Sequence, residues 1–165
     1  MNTRMQSTIK AALSLGLLSF ACAVGAQEPA PPASAADCIA IDYTALGKTP
    51  PPEQQAGSIS FVSGGIGAPQ SEAMRAIKSG FPLTLTFAEH LDGKDAYTAM
   101  VTVTVRDAES NQVLCVSNAG PMLFLRLPTG TYAITARSYG GVELTRNVSV
   151  RADGHQDVTL IWQPQ

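Results

Sequence analysis

From Val101 to Arg106 the chain alternates: Val101, Val103 and Val105 fall on one side of an extended backbone, and Thr102, Thr104 and Arg106 on the other. A period of two suits a half-buried strand, whose successive Cβ atoms point to opposite faces, and is useless to a helix. The same pattern returns in Leu123, Leu125 and Leu127, in Tyr132, Ile134 and Ala136, in Val142, Leu144, Val148 and Val150, and in Val158, Leu160 and Trp162. Between these runs stand Asp107–Gln112, Asn118-Ala119-Gly120-Pro121, Pro128-Thr129-Gly130, Gly140-Gly141 and Asp153-Gly154. Such residues bond locally to the backbone or accept the conformations that tight turns require. Short strands at regular intervals with turn residues between them predict a mainly β, antiparallel chain folded as a sandwich or a barrel.

Arg146 shares the parity of Val148 and Leu144. An unpaired arginine in an apolar core is very costly, so the position predicts either a bulge or an edge strand from which the side chain escapes to water.

Upstream, Ser58–Ser63 reads as a strand and is followed by Gly64-Gly65-Ile66-Gly67. Pro69 then opens a short helix, expected over residues 69–79 and stopped at Gly80, with Ala73, Met74 and Ile77 on one apolar stripe. Three turns of helix are marginal alone, so this one is expected to dock on the sandwich. Leu83, Leu85 and Phe87 resume the alternation, and Leu91-Asp92-Gly93-Lys94 turns the chain toward Tyr97.

The segment Val101-Thr-Val-Thr-Val-Arg-Asp-Ala, then Gly120-Pro121, then Leu127-Pro128-x-Gly130-x-Tyr132-x-Ile134-x-Ala136 resembles the carboxypeptidase-regulatory-like, transthyretin-like β-sandwich family. More narrowly it is similar to small proteobacterial periplasmic proteins carrying that domain. The resemblance covers about the last two thirds of the chain and implies a Greek-key sandwich of about seven strands in the periplasm of a Gram-negative cell. It implies no activity, because one fold hosts many functions. The similar proteins also carry a Ser-Gly-Gly-Ile-Gly stretch, often followed by acids, where this chain has Ala68-Pro69-Gln70.

Residues 1–26 place Arg4 and Lys10 ahead of an apolar run from Ala11 to Val24, with small residues at Val24-Gly25-Ala26. They read as a secretory signal peptide, leaving a soluble chain after cleavage. A lipoprotein anchor at Cys22 is disfavoured by Phe20 and by the lack of a leucine three places before the cysteine. Residues 27–57, rich in Pro and Ala, are expected to form an N-terminal tether, although Asp37–Leu46 holds enough apolar residues for a short strand or turn. The sandwich domain is expected over residues 58–165.

Beyond the leader two cysteines remain, Cys38 and Cys115. In an oxidising compartment they predict one disulfide; the plainer reading is two separate thiols, with Cys115 a small core residue between Leu114 and Val116.

Charge and side-chain chemistry narrow the functions. The chain has 11 Lys and Arg against 13 Asp and Glu, and loss of Arg4 and Lys10 leaves 9 against 13, a net of −4. That offers no electrostatic footprint for nucleic acid and no basic cluster for an anionic membrane. Gly64, Gly65 and Gly67 ahead of a helix form a possible ligand or interaction loop that could turn backbone N–H groups to an anion, but a nucleotide loop needs a Gly-Lys-Ser/Thr ending that is missing. His90 and His155 lack ligand partners at metal spacing apart from the flanking Asp153 and Asp157, and read as surface residues. With no Gly-x-Ser-x-Gly elbow and two histidines, no catalytic, metal or cofactor residues are assigned.

The leading expectation is a non-catalytic periplasmic accessory or interaction module, possible partner another envelope protein. The alternative is a small-ligand or glycan-binding domain using the glycine loop and nearby aromatics, and an enzyme with an unrecognised site ranks last. A pocket lined by Tyr43, Phe61 or Tyr97 with convergent polar groups favours the ligand reading; an unpaired sheet edge favours a protein partner.

Overall fold

The computed structural model describes residues 38–43 and 49–163. The signal peptide, Cys22 and the first part of the expected tether lie outside the described residues. Eleven strands and one α-helix follow in order: β1 (Ile39–Ala40), β2 (Gln54–Ala56), β3 (Ile59–Gly64), α1 (Ala68–Ile77), β4 (Leu83–Leu91), β5 (Lys94–Tyr97), β6 (Val101–Arg106), β7 (Gln112–Ala119), β8 (Met122–Arg126), β9 (Gly130–Arg137), β10 (Glu143–Val150) and β11 (Gln156–Trp162). A 3-10 turn, Lys78–Gly80, continues from α1 and ends at the predicted glycine.

Two sheets stack face to face. The first has the order β1-β7-β6-β9-β10, and the second β11-β4-β8-β3-β2, with β5 added to β4. Pairing is antiparallel except at two margins, where β1 runs parallel to β7 and β11 parallel to β4. The sandwich is therefore mixed rather than wholly antiparallel, and among the described residues it has eleven strands rather than about seven. The extra ones include β1, which falls in the Asp37–Leu46 stretch expected to hold a short strand or turn, β2, which lies in the expected tether, and the short β5.

The core between the sheets is made of the alternating residues. Val101, Val103, Val105, Ile134 and Ala136 from the first sheet meet Phe61, Leu83, Leu85, Phe87, Leu123, Leu125 and Leu160 from the second. Trp162 closes one end of the core: its ring lies 6.3 Å from Phe87, and its indole N–H donates to the carbonyl oxygen of Val142 at 2.9 Å. Tyr132 fastens the turn before its own strand by donating from its hydroxyl to the carbonyl oxygen of Pro128 at 2.9 Å. This short return contact is the tyrosine-corner device of immunoglobulin-like sandwiches.

Arg146 resolves in favour of the edge. β9 and β10 pair over eight consecutive residues with Arg146 opposite Ile134, and β10 is the outer strand of its sheet, so the guanidinium reaches water without a bulge. The bulges fall instead between β6 and β7.

At its centre, in β3, β4 and β8, the second sheet is buried on both faces. Val62 and Phe124 pair with each other and point away from the main core, where they pack with Met74, Phe81, Met122 and, at the edge, Ile77. This second cluster is the seat of α1. β3 and β4 are both antiparallel to β8 and hence parallel to one another, so their connection must cross the sheet, and the helix does so over its outer face.

Cys38 and Cys115 form a disulfide that spans 77 positions of sequence. Cys115 is not a residue of the inter-sheet core: it stands opposite Thr104 on the outer face of the first sheet, bonded to Cys38 just before β1. Ile41 then donates its N–H to the carbonyl oxygen of Ser117, and the Tyr43 hydroxyl donates to that of Asn118, so the segment is sewn along β7. Burial pushes the Tyr43 phenol up to about 12, which keeps it a donor at any physiological pH.

Candidate functional site

The glycine loop joins β3 to α1, and its glycines have separate reasons. Gly65 and Gly67 have φ of +94° and +78°, a region that disfavours side chains. Gly64 is packed so closely that a Cβ would lie 2.6 Å from Pro51. Its carbonyl oxygen is in turn approached by Gly120, where a Cβ would sit 2.5 Å away.

Much of the loop's hydrogen bonding is internal. The buried Gln70 side-chain oxygen accepts from the N–H groups of Gly65 at 2.9 Å and Ile66 at 3.0 Å. The Ser71 hydroxyl donates to the Gly65 carbonyl oxygen at 2.6 Å, and the Ser71 N–H to that of Gly67 at 3.0 Å. Two of the backbone donors that an anion would need are thus taken by Gln70. Gln70 is therefore a structural brace that the sequence pattern alone does not reveal.

Beside the loop runs a groove of about 680 Å³, walled by Gly65, Ile66, Gly67 and the first turns of α1 on one side and by Tyr97, Ala99 and Pro121 on the other. It is lined by exposed apolar side chains: Ile66 is 37% exposed and Tyr97 52%. Arg75 reaches across from α1 to donate to the Tyr97 hydroxyl at 3.2 Å, with its guanidinium carbon 5.9 Å from the ring centroid. Glu72, exposed on the same helix, makes no hydrogen bond or ion pair with the described residues.

The three aromatics of interest separate. Phe61 is fully buried in the core. Tyr43 lines a different cavity, of about 240 Å³, beside Pro51, Pro52 and Gln54. Tyr97 alone belongs to the groove beside the glycine loop.

His155 and His90 have carboxylate neighbours. His155 donates from Nδ1 to the carbonyl oxygen of Phe81 at 2.6 Å, and its Nε2 lies 3.0 Å from Asp157 Oδ1. Asp157 also accepts from Lys78 at 2.8 Å and from the Thr84 hydroxyl. Burial alone would raise the Asp157 pKa, yet the hydrogen bonds from Lys78, Thr84 and His155, with the Lys78 charge, hold it below the ordinary value. The cluster ties β11 to β4 and to the turn after α1. His90 sits 2.7 Å from Asp95 across the β4–β5 hairpin. Among the described residues no three His, Cys, Asp or Glu side chains converge as a metal-ligand set.

Trp162 is in the core, so it presents no indole face at the surface. Arg137 is paired with Glu143, Arg106 donates to the Ser110 carbonyl oxygen, and Tyr139 stands 80% exposed.

Fold and site together define a disulfide-linked β-sandwich with one helix packed on an outer face and an open groove beside that helix. Among the described residues no helix is long and apolar enough to cross a membrane. No protein-family model matches the chain, and no curated protein matches it.

Proposed function

We propose that this chain is a non-catalytic interaction module exported to the periplasm of a Gram-negative cell, where it docks another envelope protein. The observation that carries the reading is the groove itself: Ile66 and Tyr97, two of the exposed large apolar side chains, line one opening together with Ala99 and Pro121, beside a short strand at the margin of the sheet. Exposed apolar side chains gathered at one place mark interaction sites, whereas singly scattered ones do not. The leader-like residues 1–26 and the disulfide support export, and the resemblance to carboxypeptidase-regulatory-like domains supports a periplasmic accessory role.

A small-ligand or glycan-binding role is favoured by one feature, the Tyr97 ring and Arg75 guanidinium held together at the groove. Crosslinking in cells from a photoreactive residue at position 66 separates the two. The docking role predicts capture of a discrete envelope protein. No captured protein, together with saturable binding of a sugar, would overturn it.

A further inference from the structure

We infer that the groove receives an extended polypeptide segment as an added strand on β5, with aliphatic side chains at alternate positions and a lysine or arginine facing Glu72. This rests on the interaction-module reading and names the mode and chemistry of the partner.

The hairpin phase fixes which backbone groups are on offer. Asp92 and Gly93 have φ of +50° and +76°, positive at both central positions, as in the type I′ turn that closes two-residue hairpins. Leu91 and Lys94 then flank the turn as a hydrogen-bonded pair, and such pairs alternate along an antiparallel ladder. The N–H of Thr98 donates to the carbonyl oxygen of Phe87 at 3.1 Å, which sets the same phase from the other end. Lys94, Ala96 and Thr98 therefore turn their backbone groups to β4, and Asp95 and Tyr97 turn theirs outward. Neither outward residue has a backbone partner among the described residues.

The pairing also places this edge. β11 occupies one side of β4 as far as Glu89, so β5, paired from Ala88, must lie on the side that β8 occupies up to Thr86. β5 thus extends the lane of β8, and the next lane is that of β3, which ends at Gly64 opposite Met122. The chain leaves that lane through Gly65–Gly67 to climb onto the helix. What remains between β5 and the loop is the groove of about 680 Å³, a vacant strand position with one sheet edge and one helix for walls. An edge strand beside a helix is the setting in which peptides bind by strand addition, main-chain bonds giving affinity and alternate side-chain sites giving selectivity.

The walls state the chemistry. Ile66, Ala99, Pro121 and the Tyr97 ring offer apolar surface to every second side chain of an incoming strand. Arg75 is turned onto Tyr97, whereas Glu72 has no cation among the described residues, so the wall's uncommitted charge is negative.

The test is selection of phage-displayed random heptapeptides on the purified full-length chain, followed by titration of the recovered peptides. The expected result is a sequence with alternating aliphatic residues and one Lys or Arg, whose binding shifts the amide resonances of Asp95 and Tyr97 most. Asp95→Pro removes an outward N–H and no backbone bond to β4, and is expected to weaken binding at least tenfold relative to Asp95→Ala, which loses the same His90 contact but keeps the N–H. Glu72→Lys lies on an exposed helix face and is expected to exchange the basic preference for an acidic one. Peptides that bind equally to the Asp95→Pro and Glu72→Lys variants would overturn this mode while leaving an interaction module elsewhere on the surface. Concentration-dependent dimers abolished by Asp95→Pro would overturn it in favour of a second copy as occupant. Recovery of no peptide overturns it as well, and cellular crosslinking from position 66 then decides whether the interaction-module reading falls too.

Discussion

Replacing Cys38 and Cys115 together with alanine removes the covalent link between the start of the described chain and β7. The bond closes a loop spanning 77 positions. Loop-closure entropy for that length is worth about 4.5 kcal/mol, because the unlinked denatured chain regains the freedom that the bond denied it. The paired replacement avoids a lone thiol, and alanine at the buried position 115 places no hydroxyl beside Thr104. With a urea slope of about 2 kcal/mol per molar, the unfolding midpoint should fall by about 2 M. The slope itself should rise, since the unlinked denatured state is more expanded and exposes more surface. Equilibrium urea unfolding followed by Trp162 fluorescence reads both quantities, because that indole is buried against Phe87 in the folded chain. A midpoint within about 0.3 M of the parent at unchanged slope would refute the reasoning, since it would mean that the link constrains no part of the denatured chain.

The remaining predictions concern packing, turn and charge. Gly120→Ala pushes a methyl to 2.5 Å from the Gly64 carbonyl oxygen, a backbone atom that cannot swing aside, and should cost about 1–3 kcal/mol by thermal or urea unfolding. Ile134→Ala opens a cavity in the fully buried centre of the first sheet and should cost about 2–5 kcal/mol in the same assay. Tyr132→Phe deletes the hydroxyl that holds Pro128 and should cost about 1 kcal/mol with little change in structure, checked by the near-ultraviolet circular dichroism spectrum. Asp157, whose folded pKa is held below its unfolded value, contributes stability that is present above the unfolded pKa and lost as pH falls through the folded one. Its side chain is half exposed, so solvent screening keeps the effect small. Asp157→Asn should therefore shrink the stability difference between neutral pH and pH 3, and an unchanged acid limb would contradict the assignment.

How much was legible in the sequence differs from element to element. The alternation in Val101–Arg106, Leu123–Leu127 and Tyr132–Ala136 carries both the strands and their inward faces, because side-chain parity is a local property of an extended backbone. The glycine loop and the helix after it were equally legible from punctuation and from the Met74 stripe. The tether reading did not foresee β2 at Gln54–Ala56. Pro and Ala composition gives no local sign that Gln54–Ala56 pairs with β3, since that bonding is supplied by a partner strand rather than by the segment itself. At the glycine loop, local sequence showed flexible backbone ahead of a helix, but only the fold shows that Gln70 turns inward to take two of its N–H groups.

The pattern of aliphatic residues was enough, without any partner in view, to decide that the chain is mainly β, which residues face inward and where it turns. Those properties follow from bonds and neighbours within a few positions. Tertiary structure decided the sheet order, the parallel margins, the seat of α1 on Val62 and Phe124, and the groove between Tyr97 and the glycine loop. Each of these depends on which distant strands end early and which run on, and chain ends of that kind meet only when the whole sandwich is assembled.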